Sequence, residues 1–113
     1  MKSSEFHTRA TAFLKSLLRQ RDYLISTGKG KKNTEMMIHA ASFIRIHLEA
    51  NGYHTNRQMV HFWMANEYKI RILLPGIGSM AHESMLTGFN SLNYEAQSWL
   101  ANQQELLLEY HSN

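Results

Sequence analysis

Apolar residues recur every three or four positions along most of the chain, which is the period of an α-helix with one buried face. The clearest stripe begins near Ser4 and ends at Ser26. Its members are Phe6, Ala10, Phe13, Leu14, Leu17, Leu18, Leu24 and Ile25. Gly28 follows shortly afterwards, and glycine often ends a helix, so the pattern predicts a first amphipathic helix over 4–26.

A second helix is predicted to begin at Asn33 or Thr34, because both residues favour the N-cap position. It ends at Asn51 and Gly52, which tolerate the left-handed backbone found after many helices. Its apolar arc is wide, and only one strip of the helix is mainly polar. We therefore expect this helix to pack against two neighbours.

A third helix is predicted to begin at Thr55, which forms a capping-box pattern with Gln58. It is apolar on nearly all sides, so we expect it at the centre of the protein. Residues 68–72 also alternate as a strand would, but no other segment offers a partner strand. A helix is favoured there, because an unpaired strand would leave its backbone groups without hydrogen bonds.

Proline and glycine interrupt the chain again at 75–78, and two more helices are predicted beyond that point. Ser79 is expected to cap a short helix that ends near Gly88, and Ser91 to cap the last helix. The sequence thus predicts an all-α fold, a compact bundle of about five helices that forms a single domain over residues 1–113. The third helix is expected at its centre, with the first and last helices outside it.

Composition agrees with one small globular domain and excludes several classes of protein. The chain has 113 residues, of which 43% are hydrophobic, and it contains no cysteine. A disulfide scaffold, thiolate catalysis and cysteine-based zinc sites are therefore excluded. Charged residues interrupt every apolar stretch short of the roughly 18 residues of a membrane span. The first 18 residues also lack the apolar core of a signal peptide, so we expect a cytoplasmic protein without a membrane partner.

Patterns typical of catalytic and metal-binding sites are weak in this sequence. The seven histidines include no pair three or four positions apart, the spacing that places two ligands on one helix face. His82 and Glu83 begin like a zinc-protease motif, but Leu86 stands where that motif needs its second histidine. We expect no metal, no cofactor and no catalytic residue. An enzyme whose His and Glu residues meet only on folding is kept as a third hypothesis.

Charge is distributed unevenly along the chain. Residues 1–32 contain eight basic side chains and two acidic ones, whereas residues 75–113 contain four glutamates and no lysine or arginine. Such a gradient favours contact with a polyanion near one end, or head-to-tail contact between copies. An ordinary solvated surface is the alternative, because a few side chains decide the count.

The strongest local feature is the glycine- and lysine-rich segment 28–34. It brings flexible backbone and three ammonium groups to the start of the second helix, where free N–H groups attract anions. The residue order of a nucleotide-binding P-loop is absent, so a nucleic-acid backbone fits better, with a solvated linker as the alternative. The predicted nucleic-acid-binding residues are Arg9, Lys15, Arg19, Lys29, Lys31, Lys32 and Arg57.

The second and third predicted helices can also be tried as a helix–turn–helix motif across residues 44–63. Gln58 occupies a position that favours an aliphatic residue, and residues 59–64 are mostly apolar. This composition favours burial of the third helix over its insertion into a DNA groove. The residues left to contact DNA would be Asn56, Arg57 and His61.

The apolar arc of the last predicted helix widens near its end. Leu108 falls off the main stripe, and exposed leucine of this kind indicates a protein contact. The predicted partner or dimer interface consists of Trp99, Leu106, Leu107, Leu108 and Tyr110. The sequence predicts a small non-enzymatic regulatory or accessory protein, a homodimer that binds nucleic acid through its basic first helix and loop. The alternative is an inhibitor or adaptor that sequesters another regulatory protein through Met- and Leu-rich helix faces.

Overall fold

Five helices account for most of the described chain. They are α1 (Phe6–Ser26), α2 (Thr34–Asn51), α3 (Asn56–Ala65), α4 (Glu67–Ile72) and α5 (His82–His111). The computed structural model describes residues 5–27, 34–51, 55–76 and 81–111, and the side chains of 34, 51 and 104–111 lie outside this description. No strand occurs within these ranges, so the predicted all-α bundle is confirmed. Residues 68–72 are helical, as the sequence favours.

The core of the bundle is formed where α1 and α3 meet the other helices. Helix α3 packs against α1, α4 and α5, which places it at the centre as predicted. The expected outer position of α1 is only partly met, because α1 contacts α2 and α5 as well as α3. The largest fully buried side chains are Trp63, Phe89, Leu14, Leu17, Ile44, Met59, Ile70, Leu73 and Val60.

The indole ring of Trp63 joins α3 to α1 and α5. Its centroid lies 6.3 Å from that of Phe6 and 6.0 Å from that of Phe13, both on α1. The ring of Phe89 on α5 lies 5.7 Å away. The indole Nε1 donates a hydrogen bond of 3.0 Å to Oδ1 of Asn93, also on α5. A buried indole needs such an acceptor, so packing and hydrogen bonding together fix how these three helices meet.

The first turns of α1 and α3 are joined by side-chain hydrogen bonds. Thr55 and Gln58 form the predicted capping box, in which the Gln58 N–H donates to Thr55 Oγ1 at 3.1 Å. The backbone N–H of His7 donates to Oδ1 of Asn56 at 2.9 Å, and Asn56 Nδ2 donates to Oε1 of Glu5 at 2.9 Å. The Asn56 side chain thus satisfies an N–H group that has no partner inside α1.

A break at Asn66 divides the third predicted helix into α3 and α4, which corrects the single helix expected from the sequence. Asn66 is buried, and its Nδ2 donates to the Phe62 carbonyl at 2.9 Å. A short amide side chain that bonds to nearby backbone competes with the regular helical pattern. Beyond the break, α4 packs on α2, so α2 contacts both α1 and α4. These are the two neighbours that its wide apolar arc predicts.

The last two predicted helices form one continuous helix, α5, which is a second correction. Gly88 and Ser91, expected at an end and a start, lie inside it, and Ser79 lies outside the described residues. A Cβ atom at Gly88 would lie 3.0 Å from Cε1 of Phe13. Glycine therefore lets this ring approach the α5 backbone closely. We infer that the contact offsets the roughly 1 kcal/mol that glycine costs inside a helix.

Arg21 is charged but only 3% exposed. Its Nε donates to the Leu73 carbonyl at 2.9 Å, and its Nη2 donates to the Leu74 carbonyl at 2.8 Å. These carbonyls follow α4, where a helix leaves its last acceptors unpaired and its dipole favours a cation. Burial lowers the pKa of Arg21, but a guanidinium group remains charged in proteins. Arg21 therefore ties α1 to the end of α4.

Replacing Arg21 by methionine tests this tie. We expect Arg21→Met to lower the free energy of unfolding by about 2 kcal/mol, because it removes the donors to two carbonyls at the core. Arg19→Met is the matched control on an exposed position of α1, with an expected change below about 0.5 kcal/mol. Urea unfolding followed by circular dichroism measures both. Equal transition midpoints for the two variants would contradict the role of Arg21.

Candidate nucleic-acid interface

A shallow groove between α1 and α2 brings together several charged side chains. It has a volume of about 260 Å³ and is lined by Lys15, Leu18, Arg19, Asp22, Arg45, Leu48 and Glu49. The two leucines belong to the core or pack against it, so the bottom of the groove is apolar. The charged residues stand on either side, an arrangement suited to an extended ligand whose charges face them.

The packing of α1 against α2 explains why these residues meet. Lys15, Arg19 and Asp22 follow one another at spacings of four and three, so they share one face of α1. Arg45 and Glu49 are one turn apart on α2 and face them across the groove. The polar strip of each helix therefore borders the same groove, although the two strips are far apart in the sequence.

One ion pair crosses the groove. Nη2 of Arg45 lies 3.1 and 3.0 Å from the two carboxylate oxygens of Asp22. The two side chains are 38% and 61% exposed, so solvent screens the pair and its contribution to stability is at most about 1 kcal/mol. Arg45 can therefore exchange Asp22 for another anion at little cost.

Lys15 and Arg19 are exposed at the same groove. Neither forms an ion pair or hydrogen bond with another residue in the described ranges. With Arg45 they give the groove three cations against two acids, Asp22 and Glu49. The groove thus carries a small positive excess and two basic groups that are available to a ligand.

Arg9 lies on a different side of α1 from Lys15 and Arg19. It borders a wider trough of about 500 Å³ between α1 and α5. Its Nη1 and Nη2 donate to the two carboxylate oxygens of Glu95, at 2.9 and 2.7 Å. These hydrogen bonds raise the pKa of Arg9. The structure thus separates Arg9 from the other predicted basic residues of α1 and gives it an acidic partner.

Arg57 is exposed in the first turn of α3, beside the start of α1. It does not line the groove, and His7, which bonds to the adjacent Asn56, is about 12 Å from Lys15 along the helix. The apolar residues of α3 face the core, because Met59, Val60, Phe62 and Trp63 are buried. The helix is therefore buried on that side, as its composition favours, and only its outer stripe is exposed.

The predicted lysines Lys29, Lys31 and Lys32 lie outside the described residues. The helices on either side of them are α1 and α2, the two that form the groove. Arg19 lies seven residues before the end of α1, which is about 10 Å along the helix. The lysine-rich segment is therefore connected at both ends to the helices that carry the basic groove.

Two arginines have roles that the sequence pattern did not indicate directly. Arg45 belongs to the polar strip of α2, and only the pairing of α1 with α2 places it beside Asp22. Arg21 offers a clearer signal, because it follows Leu17 and Leu18 by four and three residues and so falls on the apolar stripe. A charged residue on such a stripe needs buried partners, which here are two carbonyl groups.

A second groove, between α2 and α4, is mainly apolar. It has a volume of about 360 Å³ and is lined by Met36, His39, Ala40, Phe43, Tyr68, Lys69 and Ile72. Nζ of Lys69 lies 4.6 Å from the centroid of the Phe43 ring, within the range of a cation–π contact. Met36 and Tyr68 are 46% and 69% exposed, so this groove presents large apolar side chains to solvent.

The predicted partner interface lies on α5. Trp99 is half-buried and packs against the core. The helix continues through Leu106, Leu107, Leu108 and Tyr110, whose side chains lie outside the described residues. Of this interface, only Trp99 has a described environment, and its core contacts lie within the chain.

Metal binding, membrane insertion and similarity to known proteins indicate no further site in the described part of the chain. In the part of the chain that the structure describes, no three histidine, cysteine, aspartate or glutamate residues are grouped to hold a metal ion. None of the described helices combines the length and apolar character needed to cross a membrane. Comparison with known protein families, curated proteins and solved structures finds no match to this chain.

Proposed function

We propose that this protein is a non-enzymatic regulatory or accessory protein that binds the phosphate backbone of nucleic acid at the groove between α1 and α2. In this proposal Lys15, Arg19 and Arg45 contact phosphates in the groove, and the lysines of segment 28–34 extend the contact along the chain. The observation that supports it is the convergence of three basic side chains from two helices on one groove.

The chemistry of the groove suits a repeating phosphate ligand. Arg19 and Arg45 offer guanidinium groups, which bind phosphate through two parallel hydrogen bonds, and Lys15 offers a compact positive charge. Leu18 and Leu48 have no group that reads the hydrogen-bonding edge of a base. We therefore expect binding that depends on the backbone and discriminates little between sequences.

The charge balance limits how strong this binding is. Among the side chains that the structure describes, eight are basic and seven are acidic. The positive excess of the whole chain therefore depends on Lys2 and on the lysines of segment 28–34. Because each phosphate contact releases a counterion, the salt dependence of binding reports how many of these cations take part.

Protein binding is a second candidate function, and the apolar groove between α2 and α4 favours it. Met36 and Tyr68 are large, exposed and adjacent to Phe43, which is only partly buried. Exposed apolar surface of this kind is characteristic of protein contacts, and methionine adapts to different partners. This candidate predicts association that changes little with salt, in contrast to binding at the basic groove.

Fluorescence anisotropy with labelled random duplex and single-stranded oligonucleotides tests the proposal. With six contacts, from three groove residues and three lysines, duplex affinity is expected to fall about 1,000-fold between roughly 50 and 200 mM salt. Arg19→Gln removes one contact, so we expect weaker binding and a salt slope reduced by about one. Arg9→Gln is the matched control, because Arg9 lies outside the groove and pairs with Glu95.

Two results of that measurement would contradict the proposal. The first is the absence of binding to either oligonucleotide at the lower salt concentration. The second is an equal loss of affinity in Arg19→Gln and Arg9→Gln, since only Arg19 lines the groove. Unchanged far-UV circular dichroism of both variants establishes that a loss of affinity comes from the altered side chain.

Removal of the acidic partner of Arg45 should strengthen binding. Asp22→Asn releases the Arg45 guanidinium and removes a negative charge from the groove. We expect duplex affinity at low salt to rise about fivefold, which corresponds to about 1 kcal/mol for an exposed pair. Glu83→Gln makes the same change in net charge at an exposed position of α5 and is the control. An equal gain in the two variants would contradict a specific role of the groove.

A further inference from the structure

We propose that the apolar groove between α2 and α4 binds the C-terminal part of α5, residues 104–111, from a second copy of this chain. The contact is reciprocal, so two copies form a dimer in which each groove holds the helix end of the other chain. This proposal goes beyond nucleic-acid binding and does not depend on it.

The apolar groove has the composition of a helix-binding site. Met36 and Phe43 on α2 and Tyr68 and Ile72 on α4 line it together, so each helix contributes two large apolar side chains. Tyr68 is 69% exposed, although its aromatic ring is large enough to contribute strongly to a buried contact. Grooves of this kind bind an amphipathic helix through apolar residues spaced three and four positions apart.

Among the described residues that line this groove, Lys69 is a cation and none is acidic. Lys69 lies over the Phe43 ring and has no acidic partner in the described ranges. His39 lines the opposite side of the groove, and the only acid on α4, Glu67, is paired with Arg71 one turn away. The groove therefore favours a helix that combines apolar residues with acidic ones.

The end of α5 extends past the helices on which α5 packs. Arg9 contacts Glu95, and Phe13 contacts Gly88, so α1 and α5 run antiparallel. By this register, the start of α1 at Phe6 is level with about residue 98 of α5. Helix α3 begins at the same level, because Asn56 contacts His7. Residues 104–111 of α5 therefore extend beyond the first turns of both neighbours.

The sequence of this extension complements the groove. Residues 104–111 read Gln-Glu-Leu-Leu-Leu-Glu-Tyr-His, with three consecutive leucines between Glu105 and Glu109 and no lysine or arginine. The two glutamates are one helical turn apart, so they share a helix face. The chain thus carries both an acidic, leucine-rich helix end and an apolar groove that contains Lys69. Because the two are complementary, we infer that the helix end of a second copy occupies the groove.

A chain cannot fill its own groove, because the two features lie near opposite ends of α1. Asp22 pairs with Arg45, so the groove residues of α2, which precede Arg45, lie near or beyond the end of α1. The extension of α5 lies beyond the start of α1, so the two features are separated along the helix axis by more than the length of α1, about 30 Å. Two copies side by side in antiparallel orientation bring each extension to the other groove, with two-fold symmetry.

Charge reversal on each side of the contact tests the proposal. We expect Lys69→Glu alone, and Glu105→Lys with Glu109→Lys alone, to raise the dimer dissociation constant at least about tenfold, because like charges then face each other. An equimolar mixture of the two variants should recover the dimer, since each groove then meets an extension of opposite charge. Sedimentation equilibrium without nucleic acid measures each sample.

A matched pair of substitutions controls for net charge. Arg57→Glu changes the net charge by as much as Lys69→Glu. The triple variant Glu83→Lys, Asn90→Lys and Gln97→Lys changes it by as much as Glu105→Lys with Glu109→Lys. These positions are exposed on other surfaces, and we expect both control variants to remain dimeric. Far-UV circular dichroism checks that each variant retains its helices. Met36→Asp places an acidic side chain inside the apolar groove, and we expect it to dissociate the dimer as well.

Three outcomes would overturn the proposal. The first is a wild-type chain that stays monomeric at all accessible concentrations. The second is a dimer that neither set of charge reversals weakens. The third is a dimer that each variant loses on its own and that a mixture of the two variants does not restore. If Arg19→Gln loses nucleic-acid binding but remains dimeric, the result supports a dimer contact that is independent of the phosphate-binding groove. Dissociation of the dimer with nucleic-acid binding retained would likewise show that the two sites are separate.

Discussion

Burial of the Trp63 indole is the interaction on which the arrangement of the helices depends. The ring contacts Phe6 and Phe13 on α1 and Phe89 on α5, and its Nε1 is satisfied by Asn93. These contacts set the register of α5 against α1, because residues of both helices must pack against the same indole ring. That register carries the end of α5 past its neighbours, and it leaves α2 and α4 to form an apolar groove elsewhere.

The arginines show why a count of charges along the sequence overstates the basic surface. Arg21 is buried and binds carbonyl groups, whereas Arg9 is exposed but paired with Glu95. Arg45 shares the exposed groove with Asp22, and Arg19 lies at that groove without an acidic partner of its own in the described ranges. The same residue type therefore serves packing, helix-to-helix attachment and the candidate site. Neighbouring groups, and not the net charge, decide which arginine is available to a phosphate.

Sequence periodicity was sufficient to predict the helices whose apolar residues form one continuous face. The stripe from Phe6 to Leu18 and the Thr55–Gln58 capping box follow from local spacing alone, and both occur in the structure. The break at Asn66 and the continuity of α5 through Gly88 were not predictable in this way. The first depends on a side chain that bonds to its own backbone, and the second on contact with the distant Phe13 ring. Tertiary contact overrides local propensity at both positions.

The candidate site was predictable only in part, for the same reason. Lys15 and Arg19 stand on the polar face of α1, where the helical period alone places them together. Arg45 joins them only because α2 packs against α1, and Arg9 leaves them because α5 supplies Glu95. A basic helix in sequence is thus divided by tertiary packing into two surfaces of different character. Only the surface with Lys15 and Arg19 retains cations without an acidic partner in the described ranges.

The most direct test of the phosphate-binding groove is to follow the backbone amide signals of the ¹⁵N-labelled protein by NMR during titration with a short random-sequence oligonucleotide. Phosphate binding at this groove predicts shifts concentrated at Lys15, Arg19, Asp22 and Arg45 and in segment 28–34. It predicts little change at Arg9, at Glu95 or along the groove between α2 and α4. Shifts confined to the trough beside Arg9 or to the groove between α2 and α4, or no shifts at all, would contradict it.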